Sequence, residues 1–225
     1  MCGRYSMAAS KDAIQQELPF VDVNGNVRIS YNIAPTQHGY VVTSDSPNRL
    51  QYFIWGLIPH WSSDGRHGGK LINARSEGIA TKPSFRLPIR SRRCLVIADS
   101  FYEWRKEGKQ KIPYRIQMKD ERLMVMAGIW DEWNNHGYTI KSFSILTTPP
   151  NAEMTSIHNR MPLFLKNTEE RMHWLKSQPL NDVLSQLNTP EDDILKMYRV
   201  SGLLNSVKSN SPSLHKAVPE TPTLF

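Results

Sequence analysis

The spacing of apolar residues along the chain predicts many short strands and few helices. Apolar and polar residues alternate, with the period of a half-buried strand, in IPYRIQMK, and strands are also predicted in LQYFIWGLIPHW, RLMVMAGIWDEW and YTIKSFSILTT. The pattern also predicts a loop followed by a strand in YNIAPTQHGYVVTSD, and one long strand in RRCLVIADSFYEWRK. Tight turns at EGK and NNHG fold neighbouring strands back on each other. We therefore expect a mainly antiparallel sheet.

Short helices are predicted near the two ends of the chain. Ser10 is a suitable N-cap for KDAIQQEL, and Thr168 is one for TEERMHWLKS, which has acidic residues in its first turn. Further short helices are predicted in PLNDVLSQLN and PEDDILKMY, and a returning strand in YRVSGLLNSVK. The elements predict one α+β domain over residues 1–225, with a barrel-like sheet and peripheral helices. The tail, about residues 210–225, is expected to be loosely held.

The net charge of +7 is concentrated in one part of the chain. Residues 82–119 hold eleven basic and three acidic side chains, so the remainder is close to neutral. Aromatic residues interleave with these basic residues. A basic stretch alone is typical of a solvated strand face, but the interleaved aromatic side chains favour a polyanionic partner, nucleic acid first.

Several classes of protein are disfavoured by composition. The chain has no run of about 18 apolar residues, so we expect no membrane partner. The N-terminus lacks the apolar region of a secretion signal, and two cysteines do not make a disulfide framework, so free thiols in a reducing cytoplasm are expected. No CxxC or HxxxH spacing is present, so we expect neither a metal nor another cofactor.

The opening residues MCGRYS place a cysteine directly after the initiator methionine. Removal of Met1 would give Cys2 a thiol and a free α-amine on adjacent carbons. A 1,2-aminothiol condenses with an aldehyde, and the closure of the five-membered thiazolidine ring is favoured by proximity. The cation of Arg4 is expected to lower the pKa of the thiol. The alternative is that Cys2 is only a small buried residue at the start of a strand.

Three other segments carry polar residues of the types used in catalysis or in phosphate binding. NARSE offers the amide of Asn73 and the forked cation of Arg75, which suits a phosphate. ADSFYEW places Glu103 on a strand between two aromatic residues, where a buried carboxylate could transfer protons. SIHNRMP carries His158 in a proline-containing loop. Each signal taken alone is more typical of a structural or surface residue.

The order of the motifs is more specific than any one of them. Nine segments follow one another along the chain: MCGRY, YNIAPTQ, WGLIPHW, NARSE, KPSF, RRCLVIADSFYEW, AGIWDEW, SFSILTTPPN and IHNRMP. Together they resemble the SOS-response-associated peptidase (SRAP) family, the abasic-site processing proteins. The resemblance is dense from Cys2 to about Pro162 and looser beyond. Ser76, Ser100 and the glycine-rich loop SSDGRHGGK depart from the pattern.

The resemblance implies a protein that crosslinks to abasic sites in single-stranded DNA. It implies that Cys2 is the crosslinking nucleophile, that Asn73 positions the reacting group and that Glu103 is the acid and base for the opened sugar. His158 would stabilise the abasic sugar. The family also implies an SOS-linked DNA-repair role, latent lyase chemistry and autoproteolytic exposure of Cys2, for which loss of Met1 would suffice here.

The expected DNA contacts come partly from the resemblance and partly from composition. The resemblance implies that Arg4 and Arg75 contact phosphate. The basic excess adds Arg86, and among the tryptophans Trp55, Trp61 and Trp104 are candidates to stack on bases. We expect a monomer in the cytoplasm, near the nucleoid if the source is bacterial.

Two other functions stay open on the sequence alone. An amidohydrolase of the N-terminal-nucleophile class, which releases ammonia from glutamine, also exposes a cysteine after Met1, so MCG alone would suit one. A non-covalent single-stranded DNA-binding module would make Cys2 incidental, and its binding would be fully reversed by salt.

Overall fold

The structure is a computed structural model that describes residues 2–65 and 69–219. Twelve strands lie in these ranges: β1 (Arg4–Met7), β2 (Ser30–Ile33), β3 (His38–Thr43), β4 (Ser46–Trp55), β5 (Asn73–Arg75), β6 (Arg93–Ala98), β7 (Ser100–Glu107), β8 (Gln110–Met118), β9 (Met124–Asn135), β10 (Tyr138–Thr148), β11 (Met161–Pro162) and β12 (Leu195–Arg199). The helices described are short: α1 (Lys11–Glu17), α2 (Pro88–Ser91), α3 (Ala152–Thr155), α4 (Thr168–Leu175) and α5 (Leu180–Leu184).

Five strands close into a barrel. The order β10–β4–β3–β6–β9 returns to β10, because β9 and β10 also pair as a long antiparallel hairpin. The β4–β10 pairing is parallel, and the other four pairings of the ring are antiparallel. The predicted α+β class with a mainly antiparallel, barrel-like sheet is confirmed. The glycine-rich loop SSDGRHGGK, which follows β4, lies partly outside the described residues.

A second sheet of five strands packs beside the barrel in the order β12–β8–β7–β1–β2. The side chains of Tyr5 and Trp55 join the two sheets, with ring centroids 4.9 Å apart in an edge-to-face contact. Gly39 of β3 permits this packing, because a Cβ atom at that position would lie 1.8 Å from the hydroxyl oxygen of Tyr5. The start of the chain is therefore fixed in the middle of a sheet and against the barrel core.

The long strand predicted in RRCLVIADSFYEWRK is wrong, because the segment divides at Asp99 into two strands of different sheets. The Asp99 carboxylate accepts hydrogen bonds from the Ser6 hydroxyl, at 2.5 Å, and from the backbone N–H of Ala8. These contacts come from residues more than 90 positions away in the chain. The division is what sends β6 into the barrel and leaves β7 beside β1.

The structure corrects several predicted helix caps, helices and strands outside the barrel. Ser10 caps α1 as predicted, but the N-cap of α4 is Asn167, and Thr168 is the first helical residue. PEDDILKMY supplies the strand β12, because residues Leu195–Arg199 pair with β8. In YRVSGLLNSVK, Tyr198 and Arg199 end β12, but the predicted strand does not continue, because Gly202–Asn205 form a 3-10 turn.

The tail is packed against the second sheet as far as the structure describes it. Leu204 and Leu214 are buried against Tyr102. Ala217 forms an isolated bridge with Val200. These contacts disagree with a loosely held tail for residues 210–219, and residues 220–225 lie outside the described residues.

Candidate active site

The pairing of β1 with β7 brings Cys2 and Glu103 together. Arg4 lies opposite Tyr102 in this antiparallel ladder, so Gly3 falls opposite Glu103 and Cys2 follows directly. Cys2 is fully buried, and Glu103 is only 4% exposed although its sequence context favoured the surface. The two residues lie 101 positions apart in the chain and meet only because Asp99 divides the preceding strand.

Asn73 holds the backbone of Cys2. Its side-chain Nδ2 donates a hydrogen bond of 2.7 Å to the Cys2 carbonyl oxygen. Asn73 begins β5, which runs parallel to β10 with Asn73 opposite Ile145, so its position is set by the barrel. The amide thereby orients the residue that carries the thiol.

Burial raises the pKa of the Cys2 thiol well above its usual range, and the negative charge of Glu103 raises it further. The sequence-based expectation that Arg4 lowers this pKa is wrong. The Arg4 guanidinium donates instead to the side-chain oxygen of Asn32, at 2.7 Å, and to the Leu204 carbonyl, at 2.9 Å. The thiol is accordingly neutral in this site, and its reaction requires a proton acceptor.

His158 lies within the electrostatic influence of the Glu103 carboxylate. Burial lowers the pKa of His158, and the Glu103 carboxylate opposes that change. The backbone N–H of Arg160 donates a hydrogen bond of 3.1 Å to Nδ1 of His158. Since Nδ1 accepts this bond, the proton of the neutral ring is assigned to Nε2. The imidazole can therefore donate from Nε2.

An ion pair links the NARSE and IHNRMP segments. Arg160 makes a two-pronged contact with Glu77, at 2.5 and 2.9 Å, and also donates to the Thr147 carbonyl oxygen. The sequence pattern did not predict this pair. The signal available was the presence of one acidic and one basic residue beside the candidate residues Asn73 and His158. The pair ties the His158 loop to the end of β5.

The other proposed DNA contacts have different accessibilities. Arg75 and Arg86 are exposed, and Trp61 is 55% exposed beyond the end of β4. Trp55 is fully buried, and its indole N–H donates to the Ile72 carbonyl oxygen at 2.9 Å, so the expectation that it stacks on DNA bases is wrong. Trp104 is half-buried, with the Arg4 guanidinium over its ring.

The basic stretch 82–119 is not one surface in the fold. Arg93 is buried, and its guanidinium donates to four backbone carbonyls, of Ile89, Arg90, Trp174 and Lys176. Arg115 bonds to Ser100 and Tyr198 and pairs with Asp99. These two cations have structural partners, so the charge available to a polyanion is smaller than the sequence count suggested.

The described residues contain no group of three or more His, Cys, Asp or Glu side chains arranged to hold a metal ion. Both cysteines are free thiols and both are buried. No helix in the described ranges has the length and apolar character needed to span a membrane.

The fold and this cluster of residues define a member of a known family. The profile of the SOS response associated peptidase (SRAP) family matches residues 1–207, and the chain belongs to that family. The chain is 42% identical over 221 residues to the abasic site processing protein YoaM of Bacillus subtilis, covering 95% of this chain and 97% of that protein.

More distant relatives and a solved structure agree with this assignment. The chain is 31% identical over 264 residues to the abasic site processing protein HMCES of Rattus norvegicus, covering 94% of this chain and 74% of that protein. A crystal structure of a protein from Bacteroides thetaiotaomicron superimposes with a TM-score of 0.82 at 32% identity, covering 97% of this chain and all of the other.

Proposed function

We propose that this protein processes abasic sites in single-stranded DNA by forming a covalent thiazolidine crosslink through Cys2. The observation that carries the proposal is the hydrogen bond from Asn73 to the Cys2 carbonyl, which holds the thiol-bearing residue beside Glu103. The names of the relatives, abasic site processing proteins, support the same substrate class.

The chemistry follows from an aldehyde meeting an aminothiol. The α-amine of Cys2 attacks C1′ of the opened deoxyribose, and loss of one water molecule gives an imine. The Cys2 sulfur then attacks the imine carbon, and the thiol proton passes to the nitrogen. The products are a thiazolidine and water, and no oxidant or reductant is needed. The amine must be free, so Met1, which lies outside the described residues, has to be removed.

Each neighbour of Cys2 has a role in this sequence of steps. Glu103 accepts the proton of the neutral thiol and delivers protons during opening of the closed sugar. Neutral His158 donates from Nε2 to an oxygen of the sugar. Asn73 limits the motion of Cys2, so that the amine and thiol meet the same carbon.

The thiol decides between protection and strand cleavage. An imine at C1′ activates the neighbouring carbon for elimination of the 3′ phosphate, which breaks the strand. Closure of the ring removes the imine and therefore suppresses this loss. The same site consequently contains latent lyase chemistry, which would dominate if the thiol were absent. Self-cleavage that exposes Cys2, as the family name implies, belongs to the same proposal.

The DNA contacts exposed cations and an exposed aromatic residue. Arg75 and Arg86 would contact phosphates, and Trp61 would stack on a base. Arg4, bound to Asn32 and Leu204, would reach a phosphate only by giving up one of these partners. A missing base has no stacking to lose, so an abasic site leaves the stacked strand at low cost. We propose that the protein acts on this DNA as a cytoplasmic monomer.

The test is an incubation of the purified protein with an end-labelled single-stranded oligonucleotide that contains one abasic site. A heat-stable adduct on a denaturing gel is expected, with an intact mass equal to protein lacking Met1 plus oligonucleotide minus one water. Cys2→Ala should lose the heat-stable adduct, retain an imine that borohydride traps, and keep or gain strand cleavage. Adding Glu103→Gln should slow both outcomes.

The other buried free thiol gives the matched control. Cys94→Ala should crosslink as the unmodified protein does, because Cys94 lies in the barrel strand β6. A stable adduct of Cys2→Ala formed without reductant would refute the thiol as the closing group. Binding that salt reverses completely, with no adduct, would favour the DNA-binding module, and glutamine hydrolysis would favour the amidohydrolase.

A further inference from the structure

A stacked pair of aromatic rings lies on the barrel outside the active site. The rings of His38 and Tyr52, on the paired strands β3 and β4, have centroids 5.1 Å apart and planes within 20° of each other. Tyr52 is 40% exposed, and His38 is exposed. Neighbouring residues of a strand face opposite sides of the sheet. Gly39 faces Tyr5 in the core, so its neighbour His38 and the stacked Tyr52 lie on the outer face of the barrel. We call this pair the His38–Tyr52 platform.

A positive charge lies beside the platform. The guanidinium of Arg28 lies 5.8 Å from the centre of the Tyr52 ring. The backbone of Arg28 is fixed, because its N–H donates a 2.7 Å hydrogen bond to the hydroxyl of Tyr40, a buried neighbour of Tyr52. Burial and the charge of Arg28 lower the pKa of His38, so its ring is neutral near pH 7. The surface therefore presents two uncharged rings beside one positive charge.

The platform is connected to the active site by a short length of chain. Ile33 at the end of β2 pairs with Tyr5 of β1, so the chain beyond Ile33 runs toward the Gly3 and Cys2 end of β1. His38 follows Ile33 by five residues, which is at most about 17 Å of extended chain. That distance corresponds to a few nucleotides of one DNA strand.

We propose that the His38–Tyr52 platform stacks a base of the single strand that flanks the abasic site, while Arg28 contacts an adjoining phosphate. This inference rests on the function proposed above and adds a subsite to it. An aromatic face binds any base, because every base has a π-face, and a guanidinium suits a phosphate oxygen. The platform thus fits an occupant that is flat, anionic and variable in sequence.

The test measures non-covalent binding by fluorescence anisotropy of labelled oligothymidylate, so that it does not depend on the crosslink. Tyr52→Ala should weaken binding of a long oligonucleotide by roughly 5- to 150-fold. Tyr52→Phe keeps the ring and should bind within about twofold of the unmodified protein. Tyr138→Ala is the matched control, because Tyr138 is 77% exposed at the far end of the β9–β10 hairpin.

Oligonucleotide length separates a subsite from a general loss of structure. An abasic oligonucleotide that extends on only one side of the abasic site should be affected by Tyr52→Ala for one of the two directions and not for the other. Equal affinities of Tyr52→Ala and the unmodified protein for every oligonucleotide would overturn the platform, while a crosslink would still support the proposed function. Weakened binding without any crosslink would retain the platform and reject the covalent function.

Discussion

The hydrogen bond between Asn73 and Cys2 allows a quantitative test of how the site works. Asn73→Ala removes the Nδ2 donor and leaves the Cys2 carbonyl without this partner. Leaving a buried acceptor without its hydrogen bond costs about 1–3 kcal/mol. Because Cys2, two residues before β1, is fully buried, water does not readily replace the amide.

The effect on the crosslinking rate depends on whether the hydrogen bond acts during ring closure or only stabilises the folded chain. If it orients Cys2 mainly while the ring closes, the whole loss raises the barrier and slows crosslinking by roughly 5- to 150-fold. If it only stabilises the folded chain, the melting temperature of a domain of this size falls by about 2–4 °C per kcal/mol and the rate changes little. The proposed role for Asn73 requires the first outcome.

The assay is a single-turnover time course with excess protein over a labelled abasic oligonucleotide, resolved on a denaturing gel. Asn73→Asp should be slower than Asn73→Ala, because its carboxylate would face the Cys2 carbonyl. Asn134→Ala is the matched control, since the Asn134 amide also donates a side-chain hydrogen bond but on an exposed hairpin.

One result would refute the reasoning. If Asn73→Ala crosslinked at the rate of the unmodified protein, with only its melting temperature lowered, the amide would be a structural bond and the orientation of Cys2 would come from elsewhere. An unchanged melting temperature together with an unchanged rate would show that the hydrogen bond contributes to neither property.

Three further predictions concern packing, pH and charge. Gly39→Ala should lower the free energy of unfolding by about 1–3 kcal/mol in a denaturant titration, because its Cβ displaces the Tyr5 ring, and an unchanged midpoint would contradict the close contact. Burial lowers the pKa of His215 to about 4, so the unfolded chain binds its proton first as pH falls. The stability that this residue contributes above about pH 6.5 should be lost as pH falls toward 4, and His215→Gln should flatten the dependence of melting temperature on pH; parallel profiles would count against it. Replacing Arg86 and Arg90 by Glu should weaken single-stranded DNA binding and reduce its salt dependence, and unchanged affinity would move the DNA path elsewhere.

The strands of the barrel could be predicted from sequence because their pattern is local. The apolar segments RLMVMAGIWDEW and YTIKSFSILTT and the NNHG turn between them specify two strands and a hairpin without reference to other segments. The break between β6 and β7 at Asp99 could not be predicted in this way, because Ser6 and Ala8, which donate hydrogen bonds to Asp99, lie near the N-terminus. A pattern of apolar residues continues smoothly through Asp99, whereas the fold separates there into two sheets.

The residues of the candidate site were found from the order of motifs, but their environments were not. Trp55 was a candidate to stack on DNA bases, yet it is buried and its ring contacts Tyr5 of the second sheet. Arg4 is two positions from Cys2, but Asn32 and the Leu204 carbonyl hold its guanidinium. The partner that a charged side chain selects depends on segments distant in sequence, so neighbouring positions did not predict the pKa of the thiol.

The position of β1 within its sheet also has a mechanical consequence. A strand with antiparallel partners on both sides, here β2 and β7, carries a load along its axis through two ladders of hydrogen bonds. Tension applied at Cys2 is directed along this strand and must shear both ladders together, instead of opening them one bond at a time. The packing of Tyr5 on Trp55 adds a barrel contact to the same anchor. A polymer joined to Cys2 is therefore attached next to a strand that two hydrogen-bonded neighbours hold in place against a pulling force.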